Sequence, residues 1–285
     1  MRLVGFDSLG VRSMATFVET PDATIFIDPA VSLAPRRYSL PPHELEWRRL
    51  EEVAKDIEKL ASEADVIIVT HYHYDHHDPG KHVSLDIYNG KVVIVKDPKN
   101  NINVSQRIRS SKFLKLIRER VREIRVADGA EYVFGRTRLR FSPPCPHGAT
   151  PKLGYVVQVL VDDGDRKLLF TSDVEGPILR ESLEFIVRSA PDVIIVDGPP
   201  TYLLGYKFSV EELREAVSNL RVIASLNTEP VIVLDHHLLR DLNYRDFFGD
   251  IMRGASGNAR IVTAAEFEGR EPLLLEARRR ELYGR

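Results

Sequence analysis

Residues 70–77 read Thr-His-Tyr-His-Tyr-Asp-His-His, so four of the nine histidines and one carboxylate stand in a single run behind the apolar stretch Val66-Ile67-Ile68-Val69. Imidazole is a borderline-soft ligand suited to zinc, and a nearby Asp can supply an oxygen ligand or orient a bound water. Crowded imidazoles repel one another once protonated, and each neutral ring still needs partners for two nitrogens. Such crowding at the exit of an apolar strand therefore needs a compensating gain, which a bound cation supplies. Cys145 is the only cysteine, which excludes an internal disulfide and any all-cysteine site and leaves histidine and carboxylate as ligands.

These residues must be positioned by ordered elements, and the pattern is that of an α/β chain. Residues 3–8, 14–19 and 24–27 read as short antiparallel strands broken by Gly10 and Pro21-Asp22. In residues 43–61, Leu45, Leu50, Val53, Ile57 and Leu60 recur at helical spacing. After the strand 66–69 come a helix-compatible stretch at 78–88, a strand at 91–95, a basic helix at 105–122, and strands near Ile124, Tyr132 and 138–141. The second half continues with strands 155–161 and 167–171, helix 178–189, strand 193–196, helix 209–223, strand 231–234, a closing strand at 261–262 and a C-terminal helix.

Three segments repeat one theme: Asp65-Val-Ile-Ile-Val-Thr-His71, Asp192-Val-Ile-Ile-Val-Asp-Gly198 and Pro230-Val-Ile-Val-Leu-Asp-His236. Each is a strand apolar on both faces that ends in polar groups. Such strands require cover on both sides, with chemistry gathered where they end.

Apolar residues run the whole length with no low-complexity linker, which predicts one domain over residues 1–285. No apolar run approaches the roughly 18 residues of a membrane span, and the start lacks a secretory signal pattern, so a cytoplasmic location is expected. Charged residues at 29% with glutamine only at Gln106 and Gln158 point to a hot habitat. A net charge of -2 argues against a surface built overall for polyanions. Residues 107–125 are nonetheless locally basic, with eight Lys or Arg against Glu119 and Glu123.

His71, His73, Asp75 and His76 spell His-x-His-x-Asp-His, and with Asp28 after Ile25-Phe-Ile, His147 in Pro-His-Gly, Asp173 in Phe-Thr-Ser-Asp and His236 after Val-Ile-Val-Leu-Asp, the chain resembles the metallo-β-lactamase superfamily. Within it the chain looks nearest to an archaeal branch of predicted hydrolases. The resemblance implies a four-layered αββα sandwich. It further implies two divalent metal ions, zinc before manganese or iron, with His71, His73 and His147 on the first, Asp75, His76 and His236 on the second, and Asp173 between them. Asp28 would orient the ligand loop, and Asp75 would act in catalysis by orienting the attacking water. His73 stands where the superfamily's di-iron redox branch carries Glu, so hydrolysis is the implied reaction.

His236 is preferred to His237 because adjacent side chains on an extended strand face opposite ways and His71 also takes the first position past Thr70. His77 and His82 read as helix-surface or supporting residues, His43 as helix surface, and Cys145 as a small half-buried thiol. Asp197, with Tyr202, Tyr206 and Lys207 beyond it, is a candidate for the pocket wall or for gripping substrate. The favoured substrate is a phosphodiester or small phosphorylated, nucleotide-like molecule, with nucleic acid as a partner through the basic segment 107–125. A lactone or carboxylic ester is the alternative substrate, and a non-catalytic metal-bound module that binds an anion the alternative class.

Overall fold

A computed structural model describes all residues, 1–285, as two β-sheets packed face to face with helices on both outer faces. The first sheet has the order β1 (Arg2–Gly5), β2 (Ala15–Glu19), β3 (Thr24–Ile27), β4 (Val66–Val69), β5 (Val92–Val95), β6 (Glu123–Val126). In the second sheet β7 (Glu131–Phe134) is an edge, followed inward by β8 (Thr137–Phe141). A two-residue ladder, β9 (Cys145–Pro146) with β10 (Tyr155–Val156), branches off before β11 (Val159–Asp162). The sheet then continues through β12 (Lys167–Phe170), β13 (Val193–Val196), β14 (Val231–Leu234) and β15 (Arg260–Val262).

The alternation of strand side chains explains the layering. On β4 and β5, Val66, Ile68, Val92 and Ile94 enter the core between the sheets. Ile67, Val69, Val93 and Val95 enter a second core under α1 (Glu44–Glu63) and α2 (Val104–Ile117). On β13 and β14, Ile195 and Val233 face the central core. Ile194, Val196, Ile232 and Leu234 face a third core under α3 (Arg180–Ser189), α4 (Val210–Ala224) and α5 (Tyr244–Gly254). Three separate cores make four layers, αββα.

Each sheet joins an antiparallel part to a parallel part. β3 through β6 run parallel, as do β12 through β15. The C-terminal ends of β3, β4, β12, β13 and β14 converge on one edge of the sandwich, and this edge carries the candidate residues. α1 starts with His43 as N-cap: the Leu45 N–H donates to His43 Nδ1 (3.2 Å) and the His43 N–H donates to Glu46 Oε2 (2.8 Å). The far end of the chain is tied back by α7 (Arg279–Leu282), where the fully buried Arg279 pairs with both oxygens of the fully buried Glu46 (2.8 and 2.7 Å). The remaining short helix, α6, is Ala264–Phe267.

Some expected elements differ. Residues 78–88 are not a helix but turns ending in a 3-10 turn, Leu85–Tyr88, because Gly80, directly after Pro79, takes a left-handed backbone (φ 90°) that breaks any helix begun at Asp78. α2 stops at Ile117 rather than at residue 122. Strand 155–161 is split into β10 and β11, since the Val157 N–H leaves its sheet and donates to Thr70 O across the site (3.2 Å). α5 is an added helix, and it places Phe247 and Phe248 in the third core.

Candidate metal centre

Three residues at the converging strand ends adopt left-handed backbone: Asp28 (φ 50°), Ser172 (φ 57°) and His236 (φ 46°). Such conformations cost on the order of 1 kcal/mol or more for non-glycine residues and persist where the surroundings over-determine them. Here they turn the chain so that side chains aim across the strand ends rather than along them.

Asp28, fully buried, accepts from the Thr70 N–H (2.7 Å), Thr70 Oγ1 (2.6 Å) and His76 Nδ1 (2.7 Å). This holds a proton of His76 on Nδ1 and makes Nε2, turned toward Asp173, the nitrogen that a cation would use. His71 Nδ1 lies 3.2 Å from Ser172 Oγ. Residues 73–77 form a single turn, with the His76 and His77 N–H groups both donating to His73 O (3.0 Å each). The His71 ring packs against His73 (centroids 4.7 Å apart) and His147 (5.5 Å).

Asp173 is the hub. Its carboxylate oxygens lie 3.0 Å from His147 Nε2, 3.1 Å from His76 Nε2, and 3.6 to 3.7 Å from the Nε2 atoms of His71, His236 and His237. Potential ligand atoms fall into overlapping sets, each within 4.8 Å: His71, His73, His147 and Asp173; Asp75, His76 and His236; Asp173, His236 and His237. All seven residues singled out as ligands in the sequence thus lie in one cluster, and Asp28 lies directly behind it.

His236 and His237 do not face opposite ways, as strand alternation would require. The left-handed turn at His236 ends the strand alternation, and the two rings lie side by side, centroids 4.5 Å apart. Each is held from behind by a carboxylate: His236 Nδ1 by Asp7 Oδ2 (2.8 Å) and His237 Nδ1 by Asp197 Oδ2 (2.9 Å). Asp197 is fully buried, so it is not pocket wall. It also accepts from the Glu175 N–H (2.7 Å) and thereby shapes the loop after Asp173.

The donor set fits a divalent cation. His71 Nε2, His76 Nε2 and Asp173 Oδ1 are buried without a hydrogen-bond partner, the His76–Asp173 approach being close but misaligned. Buried polar atoms are seldom left so. Charge points the same way. Burial pushes His71 and His237 well below the usual imidazole range and His73 down to about 3. Burial also opposes charge on His76 and His147, but Asp173, with Asp28 behind His76 and Glu175 beside His147, overrides it. His76 is raised well above its usual value and His147 to about 10. Protons on these two rings thus balance Asp173, and a cation would displace them.

Asp7, Glu175 and Arg240 are additional to the sequence reading. Arg240 donates from Nε to Asp7 Oδ1 (2.9 Å) and rests against His236. Glu175 Oε1 is 3.6 Å from His147 Nδ1, and a Cβ at Gly148 would collide with its carboxylate. Asp7 and Arg240 sit 233 positions apart and carry no local motif that marks them. Cys145 is fully buried rather than half-buried, its thiol pushed up to about 12 by burial. Of the two expectations for His77, helix surface does not hold, since the residue is buried, and its Nδ1 meets His73 O (2.9 Å) as a support of the ligand turn.

A cleft of about 430 Å³ opens over the cluster, walled by Arg12, Arg109, Arg240, Tyr74 and Tyr202. From the basic segment only Arg109 reaches it. Arg107, Lys115 and Arg118 line a separate groove of about 550 Å³ with Lys99, on the other flank of α2. No helix is long and apolar enough to cross a membrane.

No known protein-family profile matches the chain. Its fold is that of the metallo-β-lactamases: the Bacillus subtilis metallo-beta-lactamase fold protein YhfI superposes with a TM-score of 0.54 over 88% of this chain and 89% of that one, at 13% identity. That likeness concerns the fold alone. In sequence, a protein of Metallosphaera sedula is 52% identical and one of Sulfurisphaera tokodaii 49% identical, each over 282 residues, 98% of this chain and 91% of theirs. The composition expected of a hot habitat fits these archaeal relatives. Both are named UPF0282 protein, and at that identity and coverage the chain belongs to the UPF0282 family.

Proposed function

We propose that the protein is a metal-dependent hydrolase acting on a phosphodiester or a small phosphorylated molecule. The observation that carries this reading is a cluster of convergent, partnerless imidazole and carboxylate atoms on the floor of a cleft walled by arginines. His71, His73, His147 and Asp173 would hold one divalent cation, zinc by preference for this ligand set, and Asp75, His76 and His236 a second. Bound there, divalent ions supply Lewis acidity and lower the pKa of water.

The chain's own residues supply the remainder. Asp75 is half-buried at the cleft floor, and although burial opposes its charge, His76 and His236 hold it well below the usual carboxylate range. As a permanent acceptor it can orient a water toward substrate. Arg109 is half-buried, stacks on Tyr74 (4.6 Å) and donates to Tyr72 O (3.3 Å). With no carboxylate partner, its charge is available to an anion in the cleft, which favours phosphate over a neutral lactone. Arg12, by contrast, is engaged with both oxygens of Glu276 (2.6 Å each).

The test measures hydrolysis of bis(p-nitrophenyl) phosphate and of a simple γ-lactone by zinc- and manganese-loaded protein. Phosphodiester turnover is expected, abolished in Asp75→Ala and shifted to higher KM in Arg109→Ala. Turnover of the lactone alone would overturn the substrate class, and metal binding without turnover of either would favour an anion-binding role.

A further inference from the structure

The two halves of the cluster differ in charge. Around His71, His73, His147 and Asp173 the ion pairs of the carboxylate are all with histidines. In the other half a guanidinium intrudes. Arg240 Nη2 lies 3.2 Å from His236 Nε2, 3.4 Å from His236 Nδ1 and 3.9 Å from Asp75 Oδ2. It therefore stands beside two of the three ligand atoms that a cation on Asp75, His76 and His236 would use.

Arg240 is not free to leave. Its side chain is 4% exposed, its Nε donates to Asp7 Oδ1 (2.9 Å), its Nη1 lies 3.4 Å from Tyr202 Oη, and its carbonyl accepts from Arg37 Nη2 (2.9 Å). An arginine keeps its charge at any working pH. Even in the dielectric of bulk water, a unit charge about 4 Å from a divalent ion lowers affinity roughly thirtyfold, and a buried site amplifies this. Asp7 offsets part of the field, yet Asp7 faces Arg240 and His236 Nδ1, on the far side of the ring from the ligand atom.

Building on the metal-dependent reading above, we propose that Arg240 makes the two halves unequal: the His71, His73, His147 and Asp173 half takes a divalent cation tightly, and the Asp75, His76 and His236 half takes one at least tenfold more weakly. The second ion is thus held in reserve, and an anion entering the cleft beside Arg240 would favour its uptake by neutralising that charge.

The experiment is calorimetric titration of the metal-stripped full-length protein with zinc, with bound metal counted by elemental analysis. The wild type is expected to bind in two steps separated at least tenfold. Arg240→Gln is expected to tighten the second step by at least tenfold with the first little changed, and Arg240→Met, neutral and of similar length, gives the same reading if the glutamine variant does not fold. Two equal steps in the wild type would overturn the inference while leaving the metal centre intact, as would an unchanged second step in a folded neutral variant. No zinc bound to the wild type would overturn the metal centre and this inference together.

Discussion

Asp28→Asn isolates the part of the site that controls a proton rather than a charge. Asp28 accepts three hydrogen bonds, two of them on Oδ2, from Thr70 Oγ1 and His76 Nδ1, and one on Oδ1 from the Thr70 N–H. An amide cannot accept on both sides. With its NH2 at the Oδ2 position it faces His76 Nδ1 as a donor and drives the imidazole proton to Nε2, the atom turned toward Asp173. With the NH2 at the other position it meets the Thr70 N–H, donor against donor. The backbone tolerates the exchange, because asparagine accepts the left-handed conformation that residue 28 adopts.

The expected loss is that of one charge-assisted hydrogen bond, about 1.5 to 3 kcal/mol. It matches the 10–100-fold fall in metal affinity typical when a partner behind a ligating histidine is removed. The assay is zinc competition against a chromogenic chelator at pH 7.5, with circular dichroism to establish that the variant is folded. A folded Asp28→Asn protein whose second, weaker zinc step keeps its wild-type affinity would refute the reasoning, since His76 would then bind without tautomer control or not bind at all.

Other consequences can be measured independently. Zinc at a hundredfold above its dissociation constant should stabilise the fold by about 2.7 kcal/mol, seen as a rise of several degrees in Tm that a chelator reverses; a melt indifferent to zinc counts against the site. Because His147, raised to about 10, and His76 carry protons that a cation displaces, zinc affinity should rise between pH 6 and 8 with net proton release. Titration in buffers of different ionisation enthalpy reads that release directly, and its absence contradicts the charge assignment. Burial opposes charge on Glu276, but Arg12 brings it from its ordinary 4.5 down to about 2. A depressed carboxylate stabilises the fold above its unfolded pKa and loses that contribution as pH falls through the folded one, so about 3 kcal/mol should disappear between pH 4.5 and 2. Urea unfolding across that range should show a shallower slope in Glu276→Gln than in wild type, the difference being this contribution. Finally, Glu46→Gln leaves the fully buried Arg279 without its carboxylate and should cost about 3 to 5 kcal/mol in the same assay, whereas a cost below 1 kcal/mol would mean that the carbonyls of Ala34 and Leu40 suffice.

The sequence made the sandwich legible because its central strands are doubly apolar. Val66-Ile67-Ile68-Val69 can exist only between two covered faces, and its polar sequel had to emerge at an edge. Asp28, His71, Asp173 and His236 could all be placed for the same reason, each lying just beyond such a strand. What stayed hidden were residues whose role depends on partners far along the chain: Asp7 behind His236, and Arg240 beside Asp75. The side-by-side rings of His236 and His237 were misjudged because period-two alternation was carried one residue past the point where the left-handed turn ends the strand. The supposed helix at 78–88 failed because Gly80, two residues into it, takes a left-handed backbone that no helix continues through.

The cluster makes little sense as a device for stability. Asp7, Asp28, Asp173 and Asp197 are all buried, and four buried imidazoles, His71, His76, His77 and His147, each keep an unpartnered nitrogen. Three left-handed residues add strain of their own. A core of the same volume built from valine and leucine would avoid each of these costs. The arrangement becomes intelligible once positive charge is supplied at its centre, and without metal that charge comes from protons on His76 and His147 and from the guanidinium of Arg240. Those three substitutes are unlike in one respect: protons leave when a better cation arrives, and an arginine does not. Replacing the protons is therefore metal binding, and retaining the arginine is what makes one half of the centre easier to fill than the other.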